Sequence, residues 1–450
     1  MTGLKKFFSE LTRYPSAILG LSIILFLLGV SVYALATIPY SEAVRLWRGG
    51  EDVWYQNPKY APPAWFNLFS DKKKPVSFSV NTMDGSFSKT TTPSSDPEIS
   101  TIDITHSFDF EYDDSPQEMM IYFTSDIIEK FSFVSITWVT PDERTIRIAD
   151  MAISNKDTYR FTQDPKLQKR LKVEAVDVMH ALFEDPNSPT HAILKGQYQL
   201  VVTGTSFEKE ASIDAEFVVH GELFGAAGTD KYRRDLLLPL LYGTPIALVF
   251  GLLAALGTSV LTMIIAAAGS WYGGWFDELI QRITEVNLVL PFLAILIMVG
   301  TFYSRSIWLM LGVTILLSIF SGSIKTYRSI FMQSKESSYI EAARAYGASS
   351  GRIIFSYLIP RMIPLLIPAL VSSVPSFVFL EASLAVLGLG DPILPTWGKV
   401  INDAWVDGAL YQARYYWILE PAILLMITGF GFAMLGFALD RIFNPRLRDI

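Results

Sequence analysis

The chain has 450 residues, of which 50% are hydrophobic and 18% charged, with a mean hydropathy of +0.32 and a formal net charge of -7. Long uncharged apolar runs make it an integral membrane protein. Having no cysteine, it excludes disulfides, thiolate metal sites and cysteine nucleophiles. The charge is unevenly spread. Between Pro39 and Thr229 about 29 acidic residues face about 18 basic ones, so the remainder is mildly basic. This pattern describes a soluble acidic domain set into a membrane frame, and it offers no basic surface for nucleic acid.

Lys5, Lys6 and Arg13 precede an apolar run from Ser16 to Ile38, long enough to span a bilayer at ~1.5 Å per residue. Ala34-Leu35-Ala36 imitates a signal-peptidase site, but the run is too long for a secretory h-region and is read as an uncleaved first helix. Its basic flank assigns the N-terminus to the cytoplasm. Residues 39–228 contain no spanning run and form the expected extracytoplasmic insert. Trp54, Trp65 and Phe66 stand at its start, either packed beneath the domain or resting on the membrane surface. Asn81–Ser100 reads as a loop. Strand-like pieces follow at Ile102–Tyr112, Met119–Thr124, Phe131–Val139, Thr145–Ile148, Gln197–Thr203 and Ala211–Leu223, with a helix over Leu167–Glu184. Short strands between turn signals predict a mainly-β domain, a β-sandwich. All four histidines, His106, His180, His191 and His220, fall in this insert without metal-ligand spacing.

Residues 229–450 make the membrane core. Asp230–Tyr242 is short and amphipathic and predicts an interfacial helix. Five further spans are expected at Thr244–Ala268, Ile283–Phe302, Ile307–Ile324, Pro360–Leu387 and Trp417–Leu439, giving six with the first. Lys325, Arg328, Lys335, Arg344, Arg352 and Arg361 gather between the fourth and fifth, and Arg441, Arg446 and Arg448 lie after the sixth. This bias puts both the 327–359 loop and the C-terminus in the cytoplasm.

That loop contains EAARAYGASSGRIIFSYLIP, Glu341–Pro360. Ala342, Ala343 and Ala345 make a helix surface of little bulk. Gly347 can take the left-handed conformation that ends a helix, and Ser349 or Ser350 can cap the next. Ile353, Ile354, Tyr357 and Leu358 then share one side, and Pro360 suits the first turn of the following span. Either an ordinary helical loop or a docking surface fits these residues. Further on, Pro364, Pro368 and Pro375 in the fifth span mean either a static kink or a gating bend. Glu381, about 30 Å along the helix from Pro360, is either an interfacial carboxylate or part of a substrate path. Glu285 pairs with Arg282 near the cytoplasmic end of the third span, which also holds Pro291.

The order Glu341-Ala342-Ala343, Gly347, Pro360 resembles the EAA loop of the permeases of ABC importers. EASLAVLGLGDPILPTWG (Glu381–Gly398), GTDKYRRD (Gly228–Asp235), YGGWFDE (Tyr272–Glu278) and NPRLRD (Asn444–Asp449) resemble signatures of the dipeptide/oligopeptide subgroup, in its "C"-type subunit. The resemblance covers the first span and roughly residues 228–450. Departures are Arg233 where glycine is usual, Pro245 where arginine is frequent, Asn444 where aspartate is usual, and Tyr357 and Ile359 before the proline. Most of the insert has no counterpart. The resemblance implies a type I importer permease fold in which Glu341, Ala342, Ala343, Gly347 and Ala348 couple to an ATP-binding subunit. It also implies partners: a second permease subunit, two ATP-binding subunits and an extracellular solute-binding protein. ATP and magnesium would sit on those partners, because Gly347–Arg352 lacks both the spacing and the lysine of a phosphate loop and no hydrolase elbow is present. This implies a transporter subunit of the plasma membrane and no enzyme. The expected cargo is a di- or oligopeptide, with nickel or another small solute as the alternative. A receptor sensing ligand through the β-domain is the reading from another class.

Overall fold

The computed structural model describes residues 13–93, 99–127, 130–208 and 212–443. The chain divides into two units: Met1–Arg48 with Leu238–Ile450, and Gly49–Leu237. The first begins with α1 (Pro15–Thr37), an uncharged helix that has proline in its first turn, where the missing N–H costs nothing. A short amphipathic helix, α2 (Tyr40–Arg48), then buries Ala43 and Trp47.

The second unit is built of β1 (Phe78–Asn81), β2 (Ser88–Pro93), β3 (Ser100–Phe110), β4 (Glu118–Ser125), β5 (Ser132–Val139), β6 (Thr145–Ile153), β7 (Lys156–Arg160), α3 (Pro165–Leu171), α4 (Val178–Phe183), β8 (Gly196–Ser206) and β9 (Ile213–His220). One sheet has the order β1-β9-β4-β7 and the other β2-β3-β8-β5-β6, with every pairing between named strands antiparallel. Alternate residues of both sheets enter one core. Ile121, Phe123 and Phe217 come from the first sheet, and Ile104, Val134, Trp138 and Val202 from the second. This is a β-sandwich. Phe110, Phe183 and Tyr198 contribute an aromatic knot, with ring centroids 4.4 Å apart for Phe110–Phe183 and 4.8 Å for Phe183–Tyr198. The polar tips find partners: Trp138 Nε1 donates to Leu182 O at 3.3 Å and Tyr198 Oη to Leu194 O at 2.7 Å.

Three strands, β1, β2 and β7, lie outside the expected strand pieces. The expected loop Asn81–Ser100 contains β2, which pairs with β3 from Ser88↔Thr105 to Pro93↔Ser100. Its sequence, SKTTTP, is polar because it is an edge strand with an exposed face. β1 and β7 are also short sheet edges. The expected single helix Leu167–Glu184 is two, α3 and α4, because Lys172 closes α3 in a left-handed conformation at φ 59°. Ala211, at the start of the last expected strand, lies outside the described residues; β9 begins at Ile213.

The first unit resumes with α5 (Leu237–Tyr272), a 36-residue helix with Pro245 inside it. The interfacial helix expected over Asp230–Tyr242 does not form. Residues 229–236 turn instead, and Asp235 Oδ1 accepts the Leu237 N–H at 2.8 Å, opening α5 directly. Then come α6 (Gly274–Val289), α7 (Phe292–Phe302), α8 (Ile307–Ile319), α9 (Gly322–Lys335) and α10 (Ser338–Ala345). After them run α11 (Ser350–Leu389), which contains π turns at Ile354–Leu358 and Ala385–Leu389, α12 (Trp397–Val406) and α13 (Tyr416–Phe443).

Among the described residues α1, α5, α11 and α13 are each long and apolar enough to cross a membrane, and the total is six if each bent pair counts as one span. The expected third and fourth spans, Ile283–Phe302 and Ile307–Ile324, fall on those pairs, and each pair is bent. α6 and α7 meet at 80°, and α8 and α9 at 47°. Pro291 explains the first bend: it disfavours helix at Leu290, which is extended, and itself caps α7. The long helices approach through glycine. A Cβ on Gly20 would lie 2.7 Å from Gly431 O, and one on Gly251 2.5 Å from Val378 Cγ2. Small residues at such contacts are how apolar helices pack where lipid competes for their larger side chains.

Candidate coupling turn

α10 ends at a compact turn. The Gly347 N–H donates to Arg344 O at 2.9 Å and the Ala348 N–H to Ala343 O at 3.0 Å, with Gly347 at φ 77°. The second bond is the six-to-one closure of a Schellman motif, and the positive φ is why glycine stands there. Space is no constraint, since a Cβ on Gly347 would touch nothing within 4 Å. Ser349 then caps α11, its Oγ accepting the Arg352 N–H at 3.4 Å. Helix, left-handed turn and capped helix therefore follow as the residues dictate.

Among the described residues the turn is anchored from one side. Ile340, Ile353, Ile354 and Leu358 enter a buried cluster with Met263 and Ala267 of α5, Ile280 of α6, and Ile324, Tyr327 and Phe331 of α9. Polar ties reinforce it. Arg328 of α9 grips Asp277 of α6 with two nitrogens, Nε lying 2.7 Å from Oδ1 and Nη2 on Oδ2. Lys335 Nζ donates to the last carbonyls of α5, Ser270 and Trp271, both at 3.2 Å. The Arg344 guanidinium lies 4.3 Å from the Trp271 ring centroid. Asp277 thus gives the Tyr272–Glu278 motif a physical role, bracing the floor under the turn. Gly273 and Gly274, both at positive φ, let the chain reverse there.

Glu341, Ala342, Arg344, Ala345, Tyr346 and Gly347 are exposed. Ala343 is not: it is 8% exposed and belongs to the inner side of α10, correcting the expectation that it shares the bare surface with Ala342 and Ala345. Ala348 is half-buried against the cluster. Sequence reasoning passed over Tyr346, which at 92% exposure is the most prominent side chain of the turn. Its signal was a lone aromatic next to the helix-ending glycine.

The other singled-out residues lie apart from this turn. Pro364, Pro368 and Pro375 fall within an unbroken α-helical stretch, Ile359–Leu384, and the irregular π turns flank that stretch. Pro368 is buried, Pro375 half-buried and Pro364 exposed. Glu381 is buried, 7% exposed, beside the Thr396 side chain. Its neighbourhood is tightly built: Trp397 Nε1 donates to Leu240 O at 3.0 Å, and a Cβ on Gly398 would lie 2.6 Å from Ala382 O. The motif Glu381–Gly398 therefore locks α12 onto α5 and α11. Glu285 pairs with Arg282 at 3.2 Å. NPRLRD, Asn444–Asp449, lies outside the described residues.

The Gly228–Asp235 motif is a fastening in the β-domain unit. Asp230 and Arg234 form a buried ion pair, Nε to Oδ2 2.6 Å. Burial raises the Asp230 carboxyl above its usual range against the pull of Arg234, and burial also raises Asp235. Thr229 Oγ1 donates to Pro58 O at 2.8 Å and accepts the Ala61 N–H at 3.0 Å. Arg233, where glycine is usual, has φ 65°, a backbone that explains the glycine elsewhere. Here the side chain holds it, donating to Asn57 O at 2.6 Å while Asn57 Nδ2 donates to Arg233 O at 3.0 Å. Beside it His220 is buried, bonded to Tyr55 O at 3.0 Å, and pushed down to about 4, chiefly by burial and then by the Arg233 charge.

Residues 259–449 match the family described as binding-protein-dependent transport system inner membrane component. A putative peptide transport system permease protein of Brucella suis is 30% identical over 224 residues, covering 49% of this chain and 73% of the relative. The chain belongs to this permease family. The dipeptide transport system permease protein DppC of Alkalihalophilus pseudofirmus is 28% identical over 225 residues, 49% of this chain and 72% of the relative. For the oligopeptide transport system permease protein OppC of Bacillus subtilis the identity is 27% over 222 residues, 49% and 72%. The family match begins inside α5 and takes in α6 to α13, including the turn at Gly347. As a permease with several apolar helices, the chain is a multi-pass membrane protein.

Proposed function

We propose that the chain is the permease subunit of an ATP-driven ABC importer for di- or oligopeptides, and that Glu341, Ala342, Ala343, Gly347 and Ala348 form or shape its contact with an ATP-binding subunit. The observation that carries the coupling role is the turn itself, exposed on one face with Ala342, Ala345 and Tyr346 and braced on the other against α5, α6 and α9. A rigid knob of that kind transmits a push to three helices at once. Relatives named for dipeptide, oligopeptide and glutathione transport support the cargo class.

In this reading α6–α7 and α8–α9 each make one bent span, so that six spans bring both termini to the cytoplasm. The cluster Arg328, Lys335, Arg344, Arg352 and Arg361 supports that side for the turn. The β-domain, residues 39–228 between the first two spans, then lies outside, where it docks a binding protein or shields the permease mouth. Two ATP-binding subunits carrying ATP and magnesium, a second homologous permease subunit and an extracellular binding protein complete the transporter. Glu381 and the proline-bearing helix Pro364–Pro375 belong to the translocation path in this account. Glu381 is a buried carboxylate on this helix, and the π turns at both ends of the proline-bearing stretch give α11 places to bend.

The test is Ala342→Trp in the transporter reconstituted in proteoliposomes. Bulk on the exposed face of α10 should lower peptide uptake about tenfold or more, the cost of overpacking a fitted contact, while the purified chain melts as before. Unchanged uptake with the large side chain in place would remove the coupling role.

A further inference from the structure

The outer face of the four-stranded sheet carries a cavity that transport through the helices leaves unexplained. Register places it. Met120 pairs with Arg160, and Tyr122 with Thr158 on one side and Glu216 on the other. Met119, Ile121 and Phe123 point into the sandwich core, so Met120, Tyr122 and Arg160 stand on the opposite face. Glu51, Asp52 and Tyr55, from the stretch ahead of β1, line the same cavity, and Arg233 completes it. Its volume is about 350 Å³, within the range of small-molecule sites.

Both signs of charge line this space, and part of each is uncommitted. Glu51 is engaged by Lys59 at 2.5 Å and by Arg233 at 3.6 Å. Asp52 and Arg160, by contrast, make no side-chain hydrogen bond or ion pair among the described residues. Arg160 is exposed on β7, so its fork is free to reach a ligand. The Tyr55 and Tyr122 rings meet edge to face at 4.7 Å, and Tyr55 Oη is fixed on Glu216 at 2.7 Å, giving an aromatic wall of set orientation. An unspent guanidinium, an unspent carboxylate and a fixed aromatic wall together match a zwitterion. The fork accepts a carboxylate with two hydrogen bonds, and the acid accepts an ammonium.

We propose that this cavity binds a small zwitterion with a free ammonium and a free carboxylate, an amino acid or short peptide, its carboxylate on Arg160 and Arg233 and its ammonium on Asp52 and Glu51. This second site belongs to the β-domain and does not depend on what the helices transport. Because the cavity is open to water its charges are partly screened, and the expected dissociation constant is weak, on the order of 0.1–1 mM.

The full chain in nanodiscs, without nucleotide or partner subunits, is titrated with trialanine by calorimetry at low salt. Saturable binding is expected, with no heat from trialanine blocked at both ends by acetyl and amide groups. Arg160→Ala and Asp52→Asn should each weaken binding about tenfold, the loss of one charge-assisted contact. Both are exposed and unpaired, so folding should be unaffected. The proposal fails if trialanine does not bind, if the blocked peptide binds equally, or if both variants bind as the native chain does, which would put the ligand elsewhere. It also fails if Arg160→Ala changes affinity for a binding protein alone. Uptake is a separate readout: a chain that binds trialanine through Arg160 but imports no peptide retains this site and loses the cargo reading.

Discussion

The two units are held together by opposite means. The β-domain closes over large rings: Trp138, Phe110, Phe183, Tyr198 and Phe217 are all fully buried between its sheets. The helical unit does the reverse, exposing large side chains such as Phe26, Trp308 and Phe437 on its outside and bringing helices together at glycines. In water, burying apolar surface is the driving force. In a bilayer the surroundings are as apolar as leucine, and close backbone approach takes its place. The same composition can therefore mean core in one unit and lipid-facing surface in the other.

Breaking each unit by its own logic should give the largest effects. Trp138→Ala removes the biggest side chain of the sandwich core and its bond to Leu182 O. The loss should be about 3–5 kcal/mol of domain stability, seen as early loss of near-ultraviolet circular dichroism from the full chain. Should Trp138→Ala leave that transition in place, the aromatic knot is not what holds the domain.

Next in size is a pH effect confined to the β-domain. His220 titrates near 4 when folded and at about 6.5 when unfolded. Below 6.5 the unfolded chain takes up a proton that the folded one refuses, so stability present above that pH is lost as pH falls toward 4. The difference amounts to about 3 kcal/mol over the window. Asp230 and Asp235, raised by burial, act with the opposite sign. For that reason the measurement is the melting temperature against pH for the native chain and for His220→Gln. The variant should be flatter between pH 6.5 and 4, and parallel curves would contradict the assignment.

The glycine logic of the helical unit predicts about 1–3 kcal/mol of destabilisation for Gly251→Leu, since even a Cβ meets Val378 and Val374. The readout is the aggregation temperature in detergent. An unchanged value would mean that α5 and α11 do not need their close approach. Smaller still is Gly347→Val, which strains the turn at φ 77° by about 1–2 kcal/mol. It should barely move that temperature while lowering uptake, the signature of a site rather than a support.

Sequence made the apolar organisation legible, because a long uncharged run or an alternating strand carries its environment in its own pattern. The conformation of the Gly347 turn was legible too: Gly347, Ser349 and Ile353 state their conformations locally. What escaped depended on neighbours distant in the chain. β2 is polar because it lies at an edge, and Ala343 turns inward because the floor beneath α10 is made by α5, α6 and α9. The bends of the two helix pairs carry no signal in apolar content, which measures length and not direction. Strand register brings Arg160 beside Met120 and Tyr122, and Asp52 reaches the same cavity from the stretch ahead of β1.

The coupling turn is the claim on which the rest depends, and the chain, having no cysteine, allows a clean test. A single cysteine at exposed Ala342 is compared with one at Trp308, on α8, in transporter membranes treated with a short thiol–amine cross-linker. The account predicts a covalent product with an ATP-binding subunit from Ala342→Cys and none from Trp308→Cys. Equal products from both, or none from Ala342→Cys in a complex that still imports peptide, would contradict it.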